Sequence, residues 1–166
     1  MKTYRVAILG CRSRGARAAK AYHAHPRTEV VGLCDLVKER VDGLGDDLGV
    51  SARYDDLDAM ISETRPDIVA IPTGTEFHHG LCMRVLDHGV NIEVEKPLCV
   101  DLEQADEVMA KATEKGVRVA VRQPVEYRFA DRIRGELRRE LNVVPAVSVE
   151  VSPELDIVPL SATGQP

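Results

Sequence analysis

Along most of the chain, short apolar runs alternate with stripes of apolar residues at helical spacing. Val6 to Leu9 is an unbroken apolar run and reads as a buried strand. An alanine-rich helix follows and ends near His25, because Pro26 cannot continue it. Glu29 to Asp35 is the second strand. Val37, Val41, Leu44 and Leu48 then recur at spacings of four, three and four, one face of a helix that stops near Gly49. Tyr54 marks a short third strand. Asp56 to Ser62 is a short helix with Leu57, Met60 and Ile61 inward, and the run Asp67 to Ile71, bounded by prolines, is a fourth strand.

The second half repeats the alternation. His78 to His88 is helical through Leu81, Cys82, Val85 and Leu86, with Gly89 as a left-handed cap, and Val90 to Val94 is the fifth strand. Asp101 followed three residues later by Gln104 is a capping pattern. It opens a helix whose buried stripe is Ala105, Val108, Met109 and Ala112 and which Gly116 ends. Val117 to Val121 is the sixth strand. Six strands separated by helices predict an α/β fold, a doubly wound parallel sheet in the order 3-2-1-4-5-6.

Beyond that point the pattern weakens. Residues 128 to 141 read as one more helix, with Phe129, Ile133 and Leu137 on one side. Val147, Val149 and Val151 alternate with Ser148 and Glu150, a strand with one buried face that needs a partner surface, so residues 144–151 are the expected contact of a homo-oligomer. Residues 152–166 hold three prolines and read as a tail. The expected division is therefore 1–123, 124–151 and 152–166.

Composition narrows the class. At 166 residues there is enough chain for one full domain. The net charge of -5 is spread over interspersed acids and bases, which gives no basic stripe for nucleic acid. No apolar run approaches the roughly 20 residues that cross a bilayer, and the first residues carry no secretory pattern, so a cytoplasmic protein without membrane contact is expected. Cys11, Cys34, Cys82 and Cys99 are too scattered for a disulfide framework. His78 and Cys82 are spaced i, i+4 beside His79, but two ligands do not make a site, and no metal is expected.

Chemistry concentrates at three places. Gly10 and Gly15 bracket the turn between the first strand and helix, as the outer glycines of a G-x-G-x-x-G phosphate cradle, with Arg12 in the middle position. Two outcomes are open for Arg12: it pairs with a phosphate, or it crowds the site. Ser13 and Arg14 offer further donors. Asp35 lies 20 residues after Gly15 at the end of the second strand, where an acid accepts bonds from a ribose diol and repels a 2′-phosphate. That favours NAD over NADP, a preference that Lys38 and Arg40 blur. Glu95, Lys96 and Pro97 close the fifth strand, and a lysine at that edge faces the ligand crevice. An ammonium there stabilises negative charge developing on a substrate oxygen.

The turn from Ala7 to Gly15, Cys34–Asp35, the stretch Ile71 to His78, and Glu95–Lys96–Pro97, all in register, resemble the glucose-fructose oxidoreductase, inositol dehydrogenase and MocA family. The resemblance covers residues 1 to about 150 and implies an NAD(P)-binding Rossmann domain over 1–123, with the first helix and strand of a substrate domain after it. By position it implies that Gly10 to Gly15 bind the pyrophosphate and Asp35 the adenosine ribose. It sets Thr73 and His78 along the cofactor, Glu95 on the nicotinamide ribose, and Gln123 and Arg128 at the border of the crevice. Lys96 becomes the catalytic or substrate-orienting lysine. Arg12 departs from the family pattern, as does Gly74 where a proline is frequent. By the same resemblance, the rest of the antiparallel substrate domain, beyond that first helix and strand, is expected to be missing from these 166 residues. The expected function is the cofactor-binding part of an oxidoreductase that moves hydride between nicotinamide and a sugar, polyol or similar hydroxyl. The alternative is a non-catalytic nucleotide-binding or interaction module.

Overall fold

The computed structural model describes residues 2–122. Strands and helices alternate strictly: β1 (Tyr4–Leu9), α1 (Ser13–Ala24), β2 (Thr28–Cys34), α2 (Lys38–Leu48), β3 (Arg53–Tyr54), α3 (Leu57–Thr64), β4 (Ile68–Ile71), α4 (Thr75–Asp87), β5 (Asn91–Glu95), α5 (Leu102–Lys115) and β6 (Val119–Arg122). The strands form one sheet in the order β3-β2-β1-β4-β5-β6, and every pairing is parallel. The doubly wound sheet expected from the pattern is the sheet observed. The helix expected at 128–141, the strand at 147–151, the tail, the oligomer contact at 144–151, Gln123 and Arg128 lie outside the described residues.

Alternation along β1 explains the two layers. Val6 and Ile8 face one side of the sheet and Ala7 and Leu9 the other, and all four are buried. On the first side they pack with Ala19 and Tyr22 of α1 and Val41 and Leu44 of α2. On the second, Ala7, Leu9, Val69, Ile71, Ile92 and Val94 meet Met60 of α3, Cys82, Val85 and Leu86 of α4, and Val108 of α5. Each fully buried Leu or Ile contributes about 1.5–3 kcal/mol by its removal from water, so both layers are needed.

Helix ends follow the local chemistry. Asp56 caps α3 and Asp101 caps α5, each carboxylate accepting a backbone N–H three residues on, from Ala59 at 2.8 Å and Gln104 at 2.9 Å. Gly49 and Gly116 close α2 and α5 in the left-handed conformation, with φ of 68° and 67°. The largest displacement from the expected boundaries is at α4, which begins at Thr75 rather than His78. Thr75 and Glu76 are polar and Phe77 is exposed, off the buried stripe, so apolar periodicity alone places the start too late. That shift puts His78 inside the first turns of the helix.

The caps are separable from the site. Asp101→Ala is expected to cost about 1 kcal/mol, the usual loss for an N-cap carboxylate. Urea denaturation should show a lowered midpoint with an unchanged slope.

Candidate functional site

At the carboxyl end of β1, helix and strand approach more closely than a side chain permits. A Cβ at Gly15 would lie 1.7 Å from the Gly10 carbonyl oxygen and 3.3 Å from Pro72 Cγ. Gly10 itself has φ of +107°, and a Cβ there would stand 3.0 Å from Thr73 Cγ2. Both positions therefore require glycine, one for space and one for backbone conformation. The loop they create delivers the start of α1 with no side-chain cap and no acid in its first turn. The leading N–H groups of a helix lack intrahelical acceptors and carry its positive end, so this terminus is suited to an anion.

Arg12 is the N-cap residue, with extended backbone at φ -73° and ψ -176°, and its carbonyl accepts from the Ala16 N–H at 2.8 Å. Position 12 thus needs no glycine conformation. The side chains of Arg12, Ser13 and Arg14 are exposed around the loop.

Asp35 is tied directly to this loop. Its Oδ2 accepts from the Cys11 N–H at 2.7 Å, and its Oδ1 accepts from the Val37 N–H at 2.9 Å, with Arg40 Nη1 3.5 Å away. One residue earlier, the Gly10 N–H donates to the Cys34 carbonyl at 2.7 Å. The Asp35 side chain is 10% exposed, so an edge of the carboxylate still reaches solvent. Lys38 is engaged elsewhere, with Asp42 at 2.6 Å. Burial pushes the thiols of Cys11 and Cys34 up to about 12, which keeps both protonated and unreactive near neutral pH.

The neighbouring strand ends complete the edge. Thr73 follows β4, and its Oγ1 is buried with no hydrogen-bond partner among the described residues, beside the Gly10 turn. Glu95 ends β5 at 8% exposure, with Oε1 3.3 Å from the Lys96 backbone N–H. That N–H also faces the Arg122 carbonyl of β6 at 3.2 Å, and the Lys96–Pro97 peptide is cis. The Lys96 side chain is exposed. The sheet order makes β2, β1, β4 and β5 consecutive, so Asp35, the Gly10 loop, Thr73 and Lys96 follow one another along a single edge.

His78 is placed differently from the expectation that it lines the cofactor. It is fully buried, with Nδ1 2.8 Å from the Pro97 carbonyl and Nε2 3.4 Å from the Thr73 carbonyl. The early start of α4 turns it beneath the edge rather than onto it. Arg40 likewise leans on Asp35. Among the described residues no group of three or more His, Cys, Asp or Glu could hold a metal ion, and both nitrogens of His78 face carbonyls.

One buried cluster escapes sequence reasoning. Glu93 on β5 accepts from the Tyr22 hydroxyl at 3.0 Å and pairs with Arg122 Nε at 2.8 Å. Burial raises the Glu93 pKa against the opposing pull of Arg122 and Tyr22. The available signal is the period-two alternation of Asn91, Glu93 and Glu95 with Ile92 and Val94, which marks one polar face on a strand otherwise read as buried.

Comparison with known proteins bears on the fold and the family. Residues 4–123 match the model of the GFO/IDH/MocA oxidoreductase family, NAD-binding Rossmann fold. The chain belongs to this family. A D-apiose dehydrogenase of Paraburkholderia graminis is 27% identical over 140 residues, covering 84% of this chain and 37% of that protein. The NAD-dependent scyllo-inositol 2-dehydrogenase of Bacillus subtilis is 30% identical over 114 residues, 68% of this chain and 33% of that protein. Among solved structures, KijD10, a 3-ketoreductase from Actinomadura kijaniata crystallised with NADP and TDP-benzene, superposes with a TM-score of 0.70 at 26% identity, covering 80% of this chain and 43% of that one. The chain thus spans about a third of the length of these two curated relatives. The family's NAD-binding Rossmann domain accounts for the sheet order and for the glycine loop alike.

Gly15→Ala tests the close approach. The added methyl meets backbone rather than a movable side chain, so the expected destabilisation is at or above the ~3 kcal/mol upper end for overpacking. Thermal unfolding of the variant should show it, and a melting temperature within a degree of the unsubstituted chain would contradict the contact.

Proposed function

We propose that this chain is the dinucleotide-binding part of an oxidoreductase acting on a sugar, polyol or similar hydroxylated substrate. The observation that carries the reading is the uncapped start of α1, held against β1 by Gly10 and Gly15, with Asp35 anchored to the same loop through the Cys11 N–H. An acid-free helix terminus matches a pyrophosphate, and an anchored carboxylate with one open edge matches a ribose diol. Thr73 Oγ1, without a partner among the described residues, supplies a further polar group at the next strand end.

In this reading the backbone of Gly10 to Gly15, with Arg12, Ser13 and Arg14 around it, holds the pyrophosphate. Asp35 accepts from the adenosine ribose, and the Arg40 guanidinium beside it fixes the carboxylate. Thr73 and Glu95 border the nicotinamide ribose. The bound nicotinamide supplies or accepts the hydride. Lys96 is the catalytic group: its ammonium stands at the substrate oxygen and stabilises the negative charge that grows there as the proton leaves. The substrate class follows from the relatives, whose names describe dehydrogenases of apiose and scyllo-inositol. Residues 124–151 are read as the beginning of the substrate-binding part and 144–151 as an oligomer contact. The carboxylate at Asp35 makes NAD the favoured cofactor over NADP.

Binding is the direct test. NAD should bind the chain in titrations monitored by NMR, at micromolar to millimolar affinity, and the absence of binding by either nucleotide at millimolar concentration would refute the reading. Asp35→Ala should weaken NAD by about tenfold, or about 1.4 kcal/mol, while NADP loses less. An equal loss of both would remove Asp35 from the ribose.

A further inference from the structure

His78 is the one histidine of the chain with no exposed surface, and the described site leaves it without a role at the crevice. Its ring lies in the first turns of α4 and reaches two separate parts of the carboxyl edge. Nδ1 stands 2.8 Å from the carbonyl of Pro97, the residue after Lys96, and Nε2 stands 3.4 Å from the carbonyl of Thr73, the residue after Pro72 at the end of β4. A carbonyl only accepts, so the shorter contact assigns the proton of a neutral imidazole to Nδ1, which donates to Pro97.

Burying an imidazole without a partner costs more than leaving it in water, and this ring has one, the Pro97 carbonyl that accepts from Nδ1–H. Nε2 lies against the Thr73 carbonyl without a bond to it. The ring therefore links the helix that follows Thr73 to the turn that follows Lys96. These are the two segments that place Thr73 and Lys96. The opposite end of the edge, Gly10 to Gly15 with Asp35, is held by bonds of its own, the Gly10 N–H to Cys34 and the Cys11 N–H to Asp35. Each half of the edge thus has hydrogen bonds of its own.

We propose that His78 is a positioning residue: it sets Lys96 and Thr73 relative to one another and so shapes the nicotinamide half of the cofactor site, without contributing to the adenosine half. This rests on the dinucleotide reading above. It makes a prediction that a general stabilising role does not, because the two halves of the ligand should respond differently.

The test compares NAD with ADP, which carries only the adenosine half, on the intact chain. His78→Phe keeps a ring of similar size and removes both nitrogens; it should weaken NAD by about tenfold and leave ADP within about twofold. His78→Asn, whose amide nitrogen stands near the position of Nδ1, should recover most of the NAD affinity. Equal losses for NAD and ADP, or no loss for either, would overturn the proposal. Nitrogen-15 NMR of the imidazole in the unsubstituted chain gives a readout free of any nucleotide. A proton fixed on Nδ1 is expected, and a proton on Nε2 alone would overturn the assignment even if His78→Phe fails to fold. Failure of both ADP and NAD to bind the unsubstituted chain would instead remove the dinucleotide reading, and the proposal with it, whatever the imidazole shows.

Discussion

The distance between α1 and β1 is the constraint on which the rest of the edge depends. It is set by the absence of one atom, the Cβ of Gly15, whose place is taken by the Gly10 carbonyl. Because the helix begins that close, its unpaired N–H groups open at the sheet edge rather than above the sheet face. The same closeness brings Cys11 within reach of Asp35, so the end of β2 can be tied to the loop by a 2.7 Å bond. A side chain at position 15 would move the helix outward and undo both results together. Gly10 adds the second requirement, since its φ of +107° turns the chain from strand to helix beside Thr73.

From that contact outward, the edge is fixed chiefly by bonds that involve backbone atoms. The Gly10 N–H meets Cys34, the Cys11 N–H meets Asp35, the Lys96 N–H meets Arg122, and the His78 ring meets Pro97. Bonds to backbone hold a loop without using the side chains that must face a ligand. Arg12, Ser13, Arg14 and Lys96 consequently remain exposed. This is how a site on loops gains the precision of the strands beneath it. The surface ion pairs between helices, such as Arg84 with Asp58 across α3 and α4, lie away from this edge and add little, because both partners are about half exposed.

How much of this was legible in the sequence depended on whether the signal was local. Sheet order followed from counting alternating elements, since a right-handed crossover leaves few arrangements for six parallel strands. Asp101 with Gln104 announced its cap because the bond spans three residues. Gly10, Gly15 and Asp35 were legible as a group because the spacing of the fingerprint reflects one strand, one helix and one strand. His78 was legible as a member of the edge but not as buried, since its burial depends on where α4 starts, and Thr75 and Glu76 give no apolar signal there. Its partners, Thr73 and Pro97, lie 5 and 19 residues away, and the second distance is one that no periodicity encodes. The contact of Arg40 with Asp35 spans five residues across the turn into α2, and no apolar spacing announces it.

Glu93 shows what a non-local signal does to the energetics. A carboxylate two residues before Glu95, on a strand paired on both sides, looks costly to bury, and burial does raise its pKa. The Tyr22 hydroxyl and the Arg122 side chain both oppose that cost, and burial beside Glu93 in turn raises the Tyr22 pKa. For such a pair, desolvation cancels much of the attraction, so an apolar replacement of equal volume would stabilise β5 as well or better. What the charged pair adds is a contact tied to this register. Arg122 pairs with Glu93 through its side chain and accepts from the Lys96 N–H through its carbonyl. A one-residue slip of β6 would therefore break both contacts as well as turn each of its side chains to the other face. Tyr22, from the last turns of α1, ties the same pair to the helix whose first turn forms the glycine loop. These largely buried charges thus connect the position of Lys96 to the helix that follows the glycine loop.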